Sequence, residues 1–460
     1  VKPPDLAIRS TKTVGKRIAA NSGLMVGSKA LAAILGLGTL FVAERALADP
    51  VLFGTVVFIH AYMLFFSEVG AFQPWQAIIR YGTQDIEDGD TDSFARLLKF
   101  GIKLDFVSAV ASTLMAIGFF SLFLWIADLL PLPERAQGME NGRLQLYTSA
   151  YCLLILFRQR GTSIGVFRIF DKFSVLAIKA LIMPVLRFAG AVLAWQLGWG
   201  IVGFLCVWFF ASLAGYIYLP TMGALELRRR GLLKRVLKAK SSFWRPRKGL
   251  WNFAIKSNID STLAAANLHL PMLLVTAVFG QAIGGIYKIA EEVAKLLSEG
   301  FRLLDQVIYP ELARMVTEGR VDEIWKVVRK AATILLAVGA VLSGLVILAG
   351  PAPFNAVFTQ DFTLASPLAA LLVPAAALLG IVAPLYPVMY AAGKPERALY
   401  ARGGGIIVYI VAFFVFSYAF GATGPGWAMI AGNSFAVVAA IYYARRTLRE
   451  ELNKERARVI

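Results

Sequence analysis

The sequence predicts an all-α polytopic membrane protein of about twelve transmembrane helices arranged as two six-helix pseudo-repeats. Three observations carry that prediction. Of 460 residues, 58% are hydrophobic and 17% charged, with a mean hydropathy of +0.65; a soluble domain has about 45–50% apolar residues and roughly a quarter charged. Apolar windows of about twenty residues, the length that crosses a ~30 Å hydrocarbon core, recur from end to end. The two halves of the chain also partly repeat one another. These properties exclude a soluble enzyme, a disulfide scaffold and a disordered chain.

Taken in order, windows bounded by charge or by Gly and Pro fall at 22–42, 51–72, 103–130, 146–167, 174–197 and 201–223 in the first half. The second half offers 257–279, 284–308, 331–350, 366–392, 403–421 and 427–444. The fourth and eighth windows are the least hydrophobic. The expected division is an N-terminal lobe at 1–224, a basic cytoplasmic linker at 225–256, a C-terminal lobe at 257–444 and a charged tail at 445–460.

Lys and Arg outnumber Asp and Glu by 47 to 29, a net charge of +18. With the N-terminus inside, only Arg45, Arg135 and Arg143 fall in outside loops, so the positive-inside rule predicts two cytoplasmic termini. No cleavable signal peptide is expected, because a basic arm precedes a first window of full helical length. The linker carries Arg228, Arg229 and Arg230, then Arg245, Arg247 and Lys248; it reads as a topology signal attracted to anionic membrane lipids. Nucleic acid is not expected as a partner. Cys152 and Cys206 lie within spans, so no disulfide framework is expected. His60 and His269 also lie within spans, too few for a metal cluster, and read as hydrogen-bonded packing residues in preference to proton carriers. No Gly-rich phosphate loop, CxxC, HExxH or GxSxG is present. Neither a cofactor nor an enzymatic activity is expected.

Slid against itself so that Ser67-Glu68 falls on Ser298-Glu299, the chain comes into partial register. Ala109-Val110 then falls on Ala340-Val341, Asn21 on Asn252, and the loop 49–54 on 280–285. Six spans per half preserve orientation, so the repeats are parallel, one of two repeat types found in alternating-access transporters.

Ionisable groups inside spans cost roughly 2.5–3.5 kcal/mol each at a helix centre and mark pathways. In the eighth span Lys288, Glu292, Lys295, Glu299 and Arg302 share one helical face. Facing lipid, the five would cost about 12–17 kcal/mol. That face either lines a cavity or pairs with itself as a ladder. Lys29, Lys179 and Arg187 add cations in the first and fifth spans, with Pro184 as a kink between the last two. Arg158 and Arg160 follow the apolar part of the fourth span. Lys103 reads as snorkelling to the headgroups. The set points to a basic cavity for an anionic substrate such as a phosphate or pyrophosphate head. Glu68 and Glu299 read either as salt-bridge partners or as sites coupling transport to a proton or sodium ion; Asp105 and Asp260 read as partners.

Three stretches, 21–70 with "ERALADPVLFG" and "FSEVG", 279–315, and 354–401 ending "AAGKPERALYA", resemble the polysaccharide-export (O-antigen flippase) branch of the multidrug/oligosaccharidyl-lipid/polysaccharide flippase superfamily. The resemblance implies two six-helix bundles around a V-shaped central cavity. It also implies translocation of an undecaprenyl-pyrophosphate-linked oligosaccharide, with Lys29, Lys179, Arg187, Lys295 and Arg302 as the matching cavity cations. Other polysaccharide-assembly membrane proteins are expected partners. A multidrug or organic-ion antiporter on the same fold is the alternative.

Overall fold

The computed structural model describes residues 11–129, 140–244, 246–247, 249–317, 321–358, 363–382, 385–391 and 394–459, which are helical almost throughout and contain no strand. The first helices are α1 (Thr11–Leu47), α2 (Pro50–Val69), α3 (Pro74–Glu87), α4 (Thr91–Leu129), α5 (Asn141–Cys152) and α6 (Gly161–Ile169). There follow α7 (Phe173–Gln196), α8 (Gly200–Arg229), the short α9 (Leu233–Lys238) and the long α10 (Leu250–Thr317). The remainder are α11 (Val321–Ala349), α12 (Ala352–Val357), α13 (Ala365–Val382), α14 (Leu385–Ala391), α15 (Pro395–Phe420) and α16 (Gly424–Val459).

Among the described residues, nine stretches are long and apolar enough to cross a membrane. Two of them hold two expected spans each. Leu250–Leu296 turns at Gly280, whose φ of 86° interrupts α10, and Glu396–Glu450 spans α15 and α16. The stretch missing from the nine is the expected fourth span. It is not one helix: α5 tightens into a 3₁₀ turn at Leu153–Phe157, the chain leaves helical geometry through Arg158, Gln159 and Arg160, and α6 restarts at Gly161.

The chain forms two compact units that interleave along the sequence. One comprises Val1–Leu47, Ile59–Ile126 and Glu140–Ala265, the other Ala48–Phe58, Ala127–Met139 and Ala266–Ile460. α2 passes from one unit to the other after Phe58, and α10 does so after Ala265.

In the first unit, small residues let helices approach closely, the usual packing device where lipid removes the hydrophobic drive. Gly190 on α7 faces Val207 on α8, and Gly215 on α8 faces Met183 on α7. Tyr62 of α2 is fully buried and donates to the Ala116 carbonyl of α4 at 2.7 Å. The end of α2 leaves orphan carbonyls, as every helix does. Asn258 and Thr262 of α10 donate to Val69 O, and Asn258 and Ser261 to Ala71 O.

Residues of the basic segment pack onto α3 and α4. Val236, Leu250 and Ala254 are buried against Ile78, Phe94 and Leu98 of α3 and α4. Lys103, expected to snorkel, instead donates to Ser241 O at 2.7 Å, and Lys99 to Leu237 O at 3.2 Å. Arg247 pairs with Asp85 at 3.0 Å.

In the second unit α11 and α13 pack together, and α13 carries Pro374 inside its length. A proline lacks the N–H that would bond four residues back, which frees the Ala370 carbonyl. The Ser343 hydroxyl of α11 donates to that carbonyl at 2.6 Å. Asn433 of α16, buried, donates to Ala375 O at 2.8 Å. At the start of α2, the repeat mates Gly54 and Gly285 face each other: a Cβ built on Gly54 would stand 1.7 Å from Gln281 O, and one on Gly285 would stand 3.2 Å from the Gly54 Cα. Both turns leading to this contact use left-handed backbone, at Ala48 (φ 50°) and Gly280 (φ 86°).

Candidate functional site

The break between α5 and α6 is met by contacts from α3 and α4. Gly161 opens α6 against Pro74 of α3: a Cβ there would lie 2.4 Å from the Pro74 Cδ and 2.7 Å from Asp105 Oδ1. Asp105 of α4 accepts from the Thr162 backbone N–H at 2.8 Å. It thus does for α6 what an N-cap side chain does locally, and adds a carboxylate where the helix dipole favours one. Asp105, read from sequence as a partner, is a cap supplied by another helix.

The break delivers two guanidinium groups to one carboxylate. Arg158 donates to Glu68 Oε1 at 2.6 Å, and Arg160 donates to the same oxygen. Arg158 also donates to the Ser67 hydroxyl and lies over the Tyr216 ring at 5.7 Å. The Arg158 side chain is 8% exposed and that of Glu68 17%. A cavity of about 140 Å³ adjoins them, lined by Ser67, Gln73, Trp75, Asp105, Arg158, Arg160 and Arg168 among others.

Arg187 extends the cluster. It donates from Nη2 to the His60 Nε2 at 3.0 Å and to the Ser212 hydroxyl at 2.7 Å, and lies over the Trp208 ring at 5.2 Å. The other ring nitrogen of His60 meets the Tyr151 hydroxyl at 2.9 Å. Lys179, half-buried on α7, feels the charges of Arg160, Arg158, Glu68 and Arg187 together. Four cations therefore gather in this unit against Glu68 and Asp105. Among the described residues, no acceptor reaches the buried Arg158 Nε, Arg187 Nε or Trp208 Nε1. The cluster has donors to spare.

Of the sequence-predicted set, Arg158, Lys179, Arg187 and Glu68 thus come together. Lys29 is exposed on α1. The eighth-span residues lie in the other unit. There Lys288 bonds Glu291 at 2.6 Å and Glu292 at 2.7 Å, while Lys295 reaches the same two carboxylates at 3.1 and 3.2 Å. Two lysines and two glutamates form a neutral quartet, the self-paired ladder that spacing allowed. Glu291, left out of the expected face, completes it. The side chains of Glu299 and Arg302 lie outside the described residues. Sequence reasoning took His60 for a packing residue and missed Tyr151 and Ser212; an ionisable ring inside an apolar window was the signal available for His60. No group of three or more His, Cys, Asp or Glu that could hold a metal occurs among the described residues.

No family model matches the chain. A curated relative is the "Inner membrane protein YghQ" of Escherichia coli K12, 28% identical over 343 residues that cover 75% of this chain and 93% of that protein. Solved structures with the same fold include the inward-facing conformation of a multidrug resistance MATE family transporter of the MOP superfamily. It is 14% identical, with a TM-score of 0.63 over 92% of this chain and 95% of that one. The lipid II flippase MurJ, in an inward closed conformation, aligns with a TM-score of 0.65 and 15% identity over 94% and 89%. The Vibrio cholerae MATE transporter VcmN in its bent form aligns at 0.59 and 15% over 96% and 98%. The chain is thus an all-α polytopic membrane protein with the fold of these transporters.

Proposed function

We propose that this protein is a multi-pass inner-membrane flippase that carries a diphosphate-linked oligosaccharide on an undecaprenyl-type lipid from the cytoplasmic to the periplasmic leaflet by alternating access. The observation that carries this reading is the charge balance at the broken helix. Arg158, Arg160, Lys179 and Arg187 outnumber the carboxylates of Glu68 and Asp105, in a place where an uncompensated cation is expensive. A phosphate or diphosphate head brings the missing negative charge, with acceptor oxygens that suit the forked guanidinium. The unsatisfied Nε donors of Arg158 and Arg187 support the same ligand class. An inner-membrane relative and a lipid II flippase among the structures of like fold support the location and the lipid-borne cargo.

The test is accumulation of lipid-linked glycan. Deletion should trap it on the cytoplasmic leaflet, and Arg158→Gln with Arg160→Gln should reproduce the block while the protein still reaches the membrane. Glycan appearing in the periplasm of the deletion strain at the normal rate would sink the reading. The multidrug transporters among the structural neighbours favour an organic-ion antiporter as the second reading. An organic cation needs a carboxylate to meet it, and Glu68 is already held by two arginines. A deletion strain that becomes drug-susceptible with unaltered glycan export would select that reading instead.

A further inference from the structure

Two buried donors on the cavity at the helix break find no acceptor among the described residues. Ser108 of α4 lines the cavity, is 8% exposed, and its hydroxyl is unpartnered. A serine or threonine in a helix often returns its proton to the carbonyl four residues back, as Thr113 does to Ala109 O at 2.8 Å farther along α4. Ser108 does not. Arg158 supplies the second donor. Its terminal nitrogens serve Ser67 and Glu68, and its Nε is left over. Ser67 keeps nothing to give, because its own proton goes to Leu64 O at 2.8 Å.

A further guanidinium stands on the same wall. Arg168 of α6 lines the cavity and lies over the Trp75 ring at 4.0 Å; an aromatic face holds a cation without supplying an oxygen acceptor. Trp75 is itself tied, its Nε1 donating to Gln73 Oε1 at 3.2 Å. Arg158, Arg160 and Arg168 share the wall with one carboxylate, Asp105, which already accepts from the Thr162 N–H at 2.8 Å. Counting Glu68 as well, held by two of the three, one positive charge is left over. All of these residues belong to the first unit, and neither Lys179 nor Arg187 lines the cavity. Donors come from α4, from the break and from α6, so an occupant must offer oxygens in several directions. A tetrahedral phosphate does; a carboxylate has two oxygens in one plane.

We propose that this cavity seats the phosphate group of the cargo: Arg158 Nε and the Ser108 hydroxyl donate to it, Arg160 and Arg168 flank it, and Lys179 and Arg187 act on it only through their charge. The assignment rests on the anionic-substrate reading above. It narrows that reading to a phosphate monoester or diphosphate and adds two residues, Ser108 and Arg168, to those that hold it.

Isothermal titration calorimetry of the full chain in lipid nanodiscs tests the assignment, with inorganic phosphate, pyrophosphate, farnesyl pyrophosphate and succinate as probes. Arg168→Gln should weaken pyrophosphate about tenfold and Ser108→Ala about fivefold, each losing one hydrogen bond to a charged group. Arg187→Gln should weaken it less than either. Without ligand, Ser108→Ala should melt no lower than the parent, since the hydroxyl it removes has no partner to lose. Its weaker binding is then not a folding defect, and it decides the matter should Arg168→Gln fail to fold. Parent-like pyrophosphate affinity in Ser108→Ala and Arg168→Gln, with loss in Arg187→Gln, overturns the seat and leaves the anionic reading standing. Succinate bound as tightly as pyrophosphate overturns the phosphate assignment. Inorganic phosphate bound while farnesyl pyrophosphate is refused supports the seat and overturns the lipid-borne cargo. Binding of none of the phosphate probes overturns both.

Discussion

Glu68 holds two arginines with one oxygen, so its loss is felt twice. Removing one partner of a buried pair strands the other, at about 3–5 kcal/mol, and Glu68→Ala strands two guanidiniums. The variant should unfold at clearly lower temperature in detergent, as read by tryptophan fluorescence. Millimolar inorganic pyrophosphate should restore part of the loss, because an anion replaces the missing carboxylate. A Glu68→Ala protein as stable as the parent would mean that the two bonds carry little. At this scale the sequence was partly legible. Intramembrane charge marked Arg158, Lys179, Arg187 and Glu68 as unusual, since each is conspicuous against an apolar background. Their grouping was not legible, because which charges meet depends on where a helix breaks. Ser212 and Tyr151 blend into the apolar windows, where a single hydroxyl scarcely alters the hydropathy.

For elements, hydropathy reports that a segment is apolar and is silent on whether its backbone stays helical. The 146–167 window therefore read as one span, and its break at Arg158–Gln159–Arg160 depends on contacts from α3 and α4 that are distant in sequence. Gly161→Ala tests that dependence. Its Cβ would press on Pro74 and Asp105, displacing the cap from α6 and destabilising by about 1–3 kcal/mol. Normal thermal stability together with normal glycan export in this variant would show that the close approach is not needed. The α13 proline illustrates the opposite case, where a defect is repaired from a neighbouring helix. Ser343→Ala removes the donor to the freed Ala370 carbonyl and should cost about 1 kcal/mol, while Ser343→Thr, which keeps the hydroxyl, should recover most of it. Equal melting temperatures for the alanine and threonine variants would rule out the repair.

Across the whole molecule, the membrane-crossing architecture was legible from composition because a bilayer demands it of every segment. The interleaving of the two units was not. Hydropathy divides a chain at its polar linker, whereas α2 and α10 each contribute to both units, and the linker itself packs onto α3 and α4 through Val236 and Leu250. The self-similarity that set Gly54 against Gly285 in the sequence has a physical counterpart, since those two residues touch. Their tolerances differ. Gly54→Ala drives a methyl into the Gln281 backbone at 1.7 Å and should abolish folded protein in a size-exclusion assay. Gly285→Ala meets the Gly54 backbone at 3.2 Å and the Phe53 ring at 2.9 Å, and should fold with reduced stability. Equal yields for the two variants would contradict that asymmetry.

Gly54 and Gly285 hold corresponding places in the two pseudo-repeats, and each limits the room left to the other. Neither glycine can shrink to make room for a larger mate, so the contact admits no second-site suppressor within the pair. A suppressor of Gly54→Ala, if selected, is expected in the backbone turn at Gly280 or Gln281 and not at Gly285.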